Sequence, residues 1–116
     1  MELLNIMSKI YIIAGCNGAG KSTASYSMLP EILSCKEFVN ADNIALGLSP
    51  FHPNNAAFEA GRIMLQRIDY LTKNKIDFAI ETTLSSRNYL SKLNEWKNFG
   101  YDIVLKAVTN IAKGKV

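Results

Sequence analysis

Apolar runs of four or five residues alternate along the chain with polar segments whose apolar positions recur at three and four. Residues 10–13 (IYII) form an apolar run that predicts a buried strand, and residues 36–40 (KEFVN) predict a second, short one. Between them, residues 21–29 predict a helix stopped at Pro30, which cannot donate in a continuing ladder. Residues 46–55 (LGLSPFHPNN) predict a loop, because Pro50 and Pro53 exclude regular structure; Asn54 or Asn55 can cap the next helix. The longest helix is predicted over 56–73, where Ala57, Ala60, Met64, Ile68 and Leu71 make one stripe and charged residues fill the other faces. Gly61 inside it costs up to about 1 kcal/mol relative to Ala, which predicts close packing against a neighbour. Residues 77–80 (DFAI) predict a third strand, followed by a polar cluster, residues 81–85. Ser85 or Ser86 can cap a helix running through Lys97, with Tyr89, Leu90, Leu93 and Trp96 as its apolar side. Gly100 then fits the C′ position, and residues 101–108 predict a fourth strand. This alternation predicts an α/β domain with a parallel sheet covered on both faces.

The segment from Gly15 to Ser22 adds chemistry to this frame. Gly15, Gly18 and Gly20, followed by Lys21, Ser22 and Thr23, match the spacing G-x-x-x-x-G-K-(S/T) of a phosphate-binding loop. A strand delivers the chain to a turn that glycines can follow, and the turn's N–H groups converge into an anion cradle. A helix starting near Gly20 adds its positive end. The backbone around Asn17, Gly18 and Ala19 would wrap the phosphates of ATP. Lys21 would reach the β- and γ-phosphates, and the Ser22 hydroxyl would bind Mg²⁺. The fold expected is therefore a P-loop NTPase-like sheet, with a glycine-rich turn bearing an exposed lysine as the bland alternative.

Bulk properties narrow the class further. The 116 residues predict one domain, with 1–7 as a dispensable leader and 109–116 as an atypical tail. Charged residues make up 20% and the mean hydropathy is +0.04, as in ordinary globular proteins. The net charge of +3 comes from scattered lysines and arginines, so neither nucleic acid nor a membrane is expected as a partner. Cys16 and Cys35 lack metal-ligand or disulfide spacing, and a reducing cytoplasmic setting fits. The run before Cys16 is shorter than the roughly 7 to 15 residues of a signal h-region, which argues against a leader cleaved there.

Asn40-Ala41-Asp42, the run Ala56-Ala57-Phe58-Glu59-Ala60-Gly61-Arg62 and Glu81-Thr82-Thr83-Leu84-Ser85, in that order after the phosphate loop, resemble the zeta toxin family of P-loop kinases. The resemblance covers most of the chain. It implies ATP-dependent phosphorylation of a small hydroxyl-bearing acceptor, UDP-N-acetylglucosamine in characterised zeta toxins. It further implies capture by a small helical antitoxin protein. Carried over residue by residue, it makes Lys21 and Asp42 catalytic, Ser22 the metal-binding hydroxyl, and Asp42, Glu81, Thr82 and Thr83 the acceptor contacts. These roles suit phosphoryl transfer, in which positioning and neutralisation of a loose anionic transition state carry the catalysis.

Blander roles stand beside these. Asp42 and Asn43 also fit a capped turn, and Thr82, Thr83 and Ser85 also fit helix capping. The resemblance further implies a helical region with phosphate-clamping arginines beyond the fourth strand. The three arginines here are Arg62, Arg67 and Arg87, and none lies there. The expectation is thus a sheet incomplete at its C-terminus, exposing Ile103 and Leu105 or their neighbours. An ATP-binding core without turnover, or an antitoxin-binding protein, are the alternatives to an active kinase.

Overall fold

The structure is a computed structural model that describes residues 7–15, 29–30, 34–82 and 88–107. Side chains of residues 82, 88–90 and 107 lie outside that description. Four strands, β1 (Lys9–Ala14), β2 (Phe38–Val39), β3 (Phe78–Thr82) and β4 (Asp102–Ala107), form one all-parallel sheet in the order β2-β3-β1-β4. Between β2 and β3 lie helix α1 (Ala41–Leu48), a 3-10 turn (Pro53–Ala56) and helix α2 (Ala57–Lys73); helix α3 (Asn88–Asn98) leads into β4. This is the α/β architecture that the alternating pattern predicts.

Topology explains which element covers which face. The chain moves in one direction across the sheet from β2 to β3 and from β3 over β1 to β4, but in the opposite direction from β1 over β3 to β2. Right-handed crossovers therefore place α2 and α3 on one face and the β1–β2 connection on the other. The packing agrees. Ile10, Ile12, Val39, Phe78 and Ile80 form a core with Ile68 and Leu71 of α2 and Trp96 of α3. On the opposite face Tyr11, Ile13 and Ala79 pack with Leu29 and Cys35, which belong to the β1–β2 connection. The helix predicted over 21–29 lies mostly outside the described residues.

Several local expectations change. The predicted loop over 46–55 overlaps a helix at its start: α1 begins at Ala41 and runs to Leu48, with Asn40 as its N-cap. Its support is tertiary, because Ala45 is buried against Ala56 and Ala60 in a small-residue cluster. No asparagine side chain caps α2, since the 3-10 turn feeds straight into it through Ala57 N–H to the Asn54 carbonyl. The α2 stripe holds at Ala60, Ile68 and Leu71, with Met64 packed beside it, but Ala57 is exposed. Gly61 is not a close-packing site, because a Cβ built there meets nothing within 4 Å. The strand predicted from 36 shrinks to two residues, and β3 extends through Glu81 and Thr82.

The end of α3 matches the glycine expectation. Gly100 has φ +99, its N–H donates to the Lys97 carbonyl at 3.0 Å, and the Tyr101 N–H donates to the Trp96 carbonyl at 3.0 Å. That is a Schellman motif. Its apolar partners, Trp96 and Tyr101, both meet the Phe78 ring edge-on, with centroids 6.1 and 5.9 Å away. On β4, Ile103 packs against the core whereas Leu105 is 57% exposed.

Candidate functional site

In an open parallel sheet, a ligand crevice forms at the C-terminal ends of adjacent strands whose onward connections leave on opposite faces. β1 and β3 are that pair. They run side by side with Ile13 opposite Glu81 and Ala14 opposite Thr82, and Gly15 follows directly on β1. The sheet thus sends the first residue of the phosphate-loop sequence to the same edge as the acidic end of β3. The rest of that sequence, Asn17, Gly18, Ala19, Gly20, Lys21, Ser22 and Thr23, lies outside the described residues, as do Cys16 and Thr83.

Asn40 completes the edge. β2 pairs with β3 through Val39 opposite Ile80, so Asn40 stands beside Glu81. Its side-chain Oδ1 accepts from the backbone N–H of Asp42 at 2.8 Å and of Asn43 at 3.2 Å, which satisfies two of the open donors at the start of α1. Its Nδ2 donates to Glu81 Oε1 at 3.1 Å. Asn40 is 4% exposed, and all buried side-chain polar atoms among the described residues have partners.

Asp42 occupies the first turn of α1, two residues past the cap, with its side chain exposed. The capped-turn alternative holds in altered form: the capping residue is Asn40. Glu81 is half-buried within β3. The residue missed by sequence reasoning as part of this site is Asn40, although an Asn before an acidic residue in a first turn is a recognisable helix start.

Other candidates fall elsewhere. Arg67 pairs with Glu37 at 2.8 Å and lies over the Tyr70 ring at 5.2 Å, so it braces α2 against the β2 segment. Arg62 is exposed on α2, and Arg87 lies outside the described residues. His52 precedes the 3-10 turn and is exposed. Burial foremost pushes the Cys35 thiol up, against a backbone hydrogen bond at Glu37 that pulls the other way, with the Asp77 and Glu37 carboxylates adding to the rise; the side chain is buried in the core.

A groove of about 970 Å³ opens between α2 and α3, lined by Gly61, Met64, Leu65, Ile68, Trp96 and Phe99 among others. None of Asn40, Asp42 or Glu81 lines it. The charges on its walls are already paired along each helix, Lys73 with Asp69 at 3.3 Å and Lys92 with Glu95 at 3.5 Å. The chemistry-bearing residues gather instead at the strand ends. No helix among the described residues is long and apolar enough to cross a membrane.

No family model matches the chain. It is 26% identical over 107 residues to an uncharacterised protein of Haemophilus influenzae, covering 92% of this chain and 74% of that one. Among solved structures it resembles a candidate kinase of Chloroflexus aurantiacus, with a TM-score of 0.69 and 9% identity over 89% of this chain. It also resembles a chain in the Pnkp1/Rnl/Hen1 complex, with a TM-score of 0.60 and 23% identity over 88% of this chain. The chain spans 59% of the first protein and 35% of the second. These likenesses carry the fold alone: an α/β domain with one parallel sheet and its helices.

Proposed function

We propose that this chain is the core of an ATP-dependent small-molecule kinase of zeta toxin type, which transfers the γ-phosphoryl group to a hydroxyl of a nucleotide sugar or similar acceptor. The observation that carries the reading is the convergence of three segments on one sheet edge: the start of the phosphate-loop sequence on β1, Asn40 and Asp42 after β2, and Glu81 on β3. The kinase-like fold supports it.

ATP, when bound, supplies the phosphoryl group. Lys21 and the backbone amides from Gly15 to Ser22 neutralise the charge that builds on the phosphates and on the departing diphosphate. The Ser22 hydroxyl would help hold Mg²⁺, which would neutralise phosphate charge. Asp42 accepts the acceptor hydroxyl's proton as that oxygen bonds phosphorus. Glu81, with Thr82 and Thr83, holds the acceptor's other hydroxyls. A helical antitoxin would act by covering this edge.

The test is label transfer from γ-labelled ATP with Mg²⁺ to a panel of nucleotide sugars that includes UDP-N-acetylglucosamine. Transfer is expected from the wild type and not from Lys21→Ala. Asp42→Asn is expected to lose on the order of 10² to 10⁴ in rate, the usual contribution of a general base, with ATP affinity kept. No transfer above the Lys21→Ala control to any acceptor would overturn the reading.

A further inference from the structure

We propose that Asn40 is a positioning residue whose single carboxamide ties the first turn of α1, the backbone that carries Asp42, to Glu81 on β3, so that this turn and the Glu81 carboxylate keep one fixed spacing. The proposal rests on the kinase reading for its catalytic meaning, but its geometry can be tested without it.

The orientation of the amide is set by its surroundings. Oδ1 faces two backbone N–H donors, at 2.8 and 3.2 Å, and Nδ2 faces the Glu81 carboxylate at 3.1 Å. Turned over, the NH₂ would meet two donors and the oxygen would meet an anion, so only one orientation satisfies both ends. A serine or aspartate would cap α1 about as well. Aspartate lacks the donor that Glu81 uses, and serine carries its donor on the same atom that caps, without the carboxamide's second arm towards Glu81. The bond spans 41 residues of sequence and crosses from the end of β2 to β3, the strand that borders β1. A planar group 4% exposed and bonded at both ends leaves little freedom for the backbone that carries Asp42 to drift relative to the Glu81 carboxylate. In a kinase whose base and acceptor ligand are Asp42 and Glu81, that spacing decides whether the acceptor hydroxyl sits in line, and a displacement of about 1 Å can cost on the order of a hundredfold in rate.

Two measurements on the full chain decide it. The first is amide hydrogen exchange at Asp42 and Asn43. Glu81→Ala is expected to speed exchange there by about fivefold, the factor that one lost hydrogen bond represents, while Glu81→Gln, which keeps an acceptor oxygen, stays near wild type. Unchanged exchange in Glu81→Ala overturns the proposal whether or not the protein transfers phosphate. The second compares Asn40→Ser with Asn40→Ala. Serine is expected to restore thermal stability but not label transfer, which falls on the order of a hundredfold in both with ATP affinity unchanged. If serine restores transfer together with stability, Asn40 only caps a helix and the proposal fails. If the wild type transfers no label, the kinase reading has failed and the exchange measurement alone decides the role of Asn40.

Discussion

Replacing Tyr101 with phenylalanine removes one oxygen from the turn that delivers α2 to β3, and with it a clasp on the strand that carries Glu81. Tyr101 is 2% exposed, and its hydroxyl lies 3.0 Å from the Leu71 carbonyl and 2.8 Å from the Ile76 carbonyl, to which it donates. The Leu71 oxygen also accepts the Ile76 N–H at 3.0 Å and keeps that partner in the variant. The Ile76 oxygen loses the shorter contact. Because the ring and its edge-on contact with Phe78 remain, the loss is one buried hydrogen bond, about 1 to 2 kcal/mol including the desolvated carbonyl. For a domain of this size that corresponds to a fall in Tm of about 4 to 8 °C.

The same substitution has a signature in pH. Burial, with a smaller contribution from the Asp77 carboxylate, pushes the Tyr101 phenol from 10.0 up to about 12. The folded state therefore favours the neutral phenol. Its contribution is complete below the unfolded value and is lost as pH rises towards the folded one. Tyr11 and Cys35 are also raised, chiefly by burial, and stay in the variant, so the alkaline loss of stability becomes shallower rather than absent. Urea unfolding followed by the fluorescence of Trp96, at neutral pH and at steps between the two Tyr101 values, reads both effects. An unchanged neutral midpoint together with an unchanged alkaline slope would refute the reasoning.

Two further substitutions test backbone arguments. Gly61→Ala is expected to stabilise the protein by about 0.5 to 1 kcal/mol, because the added Cβ meets open space inside α2 and alanine is the better helix former; a lower urea midpoint would contradict this. Gly100→Ala is expected to cost about 1 to 2 kcal/mol through backbone strain at φ +99, since the nearest atom, Lys75 Nζ at 3.2 Å, is a flexible tip that can move aside; wild-type thermal stability would refute it.

β1, β3 and β4 were legible because each carries an apolar run, whereas β2 holds only Phe38 and Val39 of the strand predicted over 36–40; the parallel arrangement followed from the helices between them. Gly100 was legible because a Schellman end demands a residue at positive φ. α1 was not. Its eight residues include Gly47 and, straight after Ala41, the turn-formers Asp42 and Asn43, and Ala45 alone is buried. It exists because Asn40 caps it and because Ala45 meets Ala56 and Ala60, contacts that local propensity does not record. Gly61 misled for the opposite reason. A glycine inside a helix suggests close approach, and here it faces a groove.

The proposed site can be read in the sequence as a set of residues but not as an arrangement. Capping preferences rank Asn and Asp alike, so the Asn40-Ala41-Asp42 run does not say which of the two caps and which is left exposed. The choice is made by Glu81, far along the chain, whose carboxylate needs a donor that asparagine has and aspartate lacks. With Asn40 committed to the cap, Asp42 belongs to α1 rather than to the sheet. Its position then depends on how α1 sits on the start of α2, through Ala45, Ala56 and Ala60. The Ala-rich run that resembles a family motif therefore has a physical role: small side chains let the helix bearing the proposed base lie close to the helix that braces it, while Asn40 holds its first turn to the sheet.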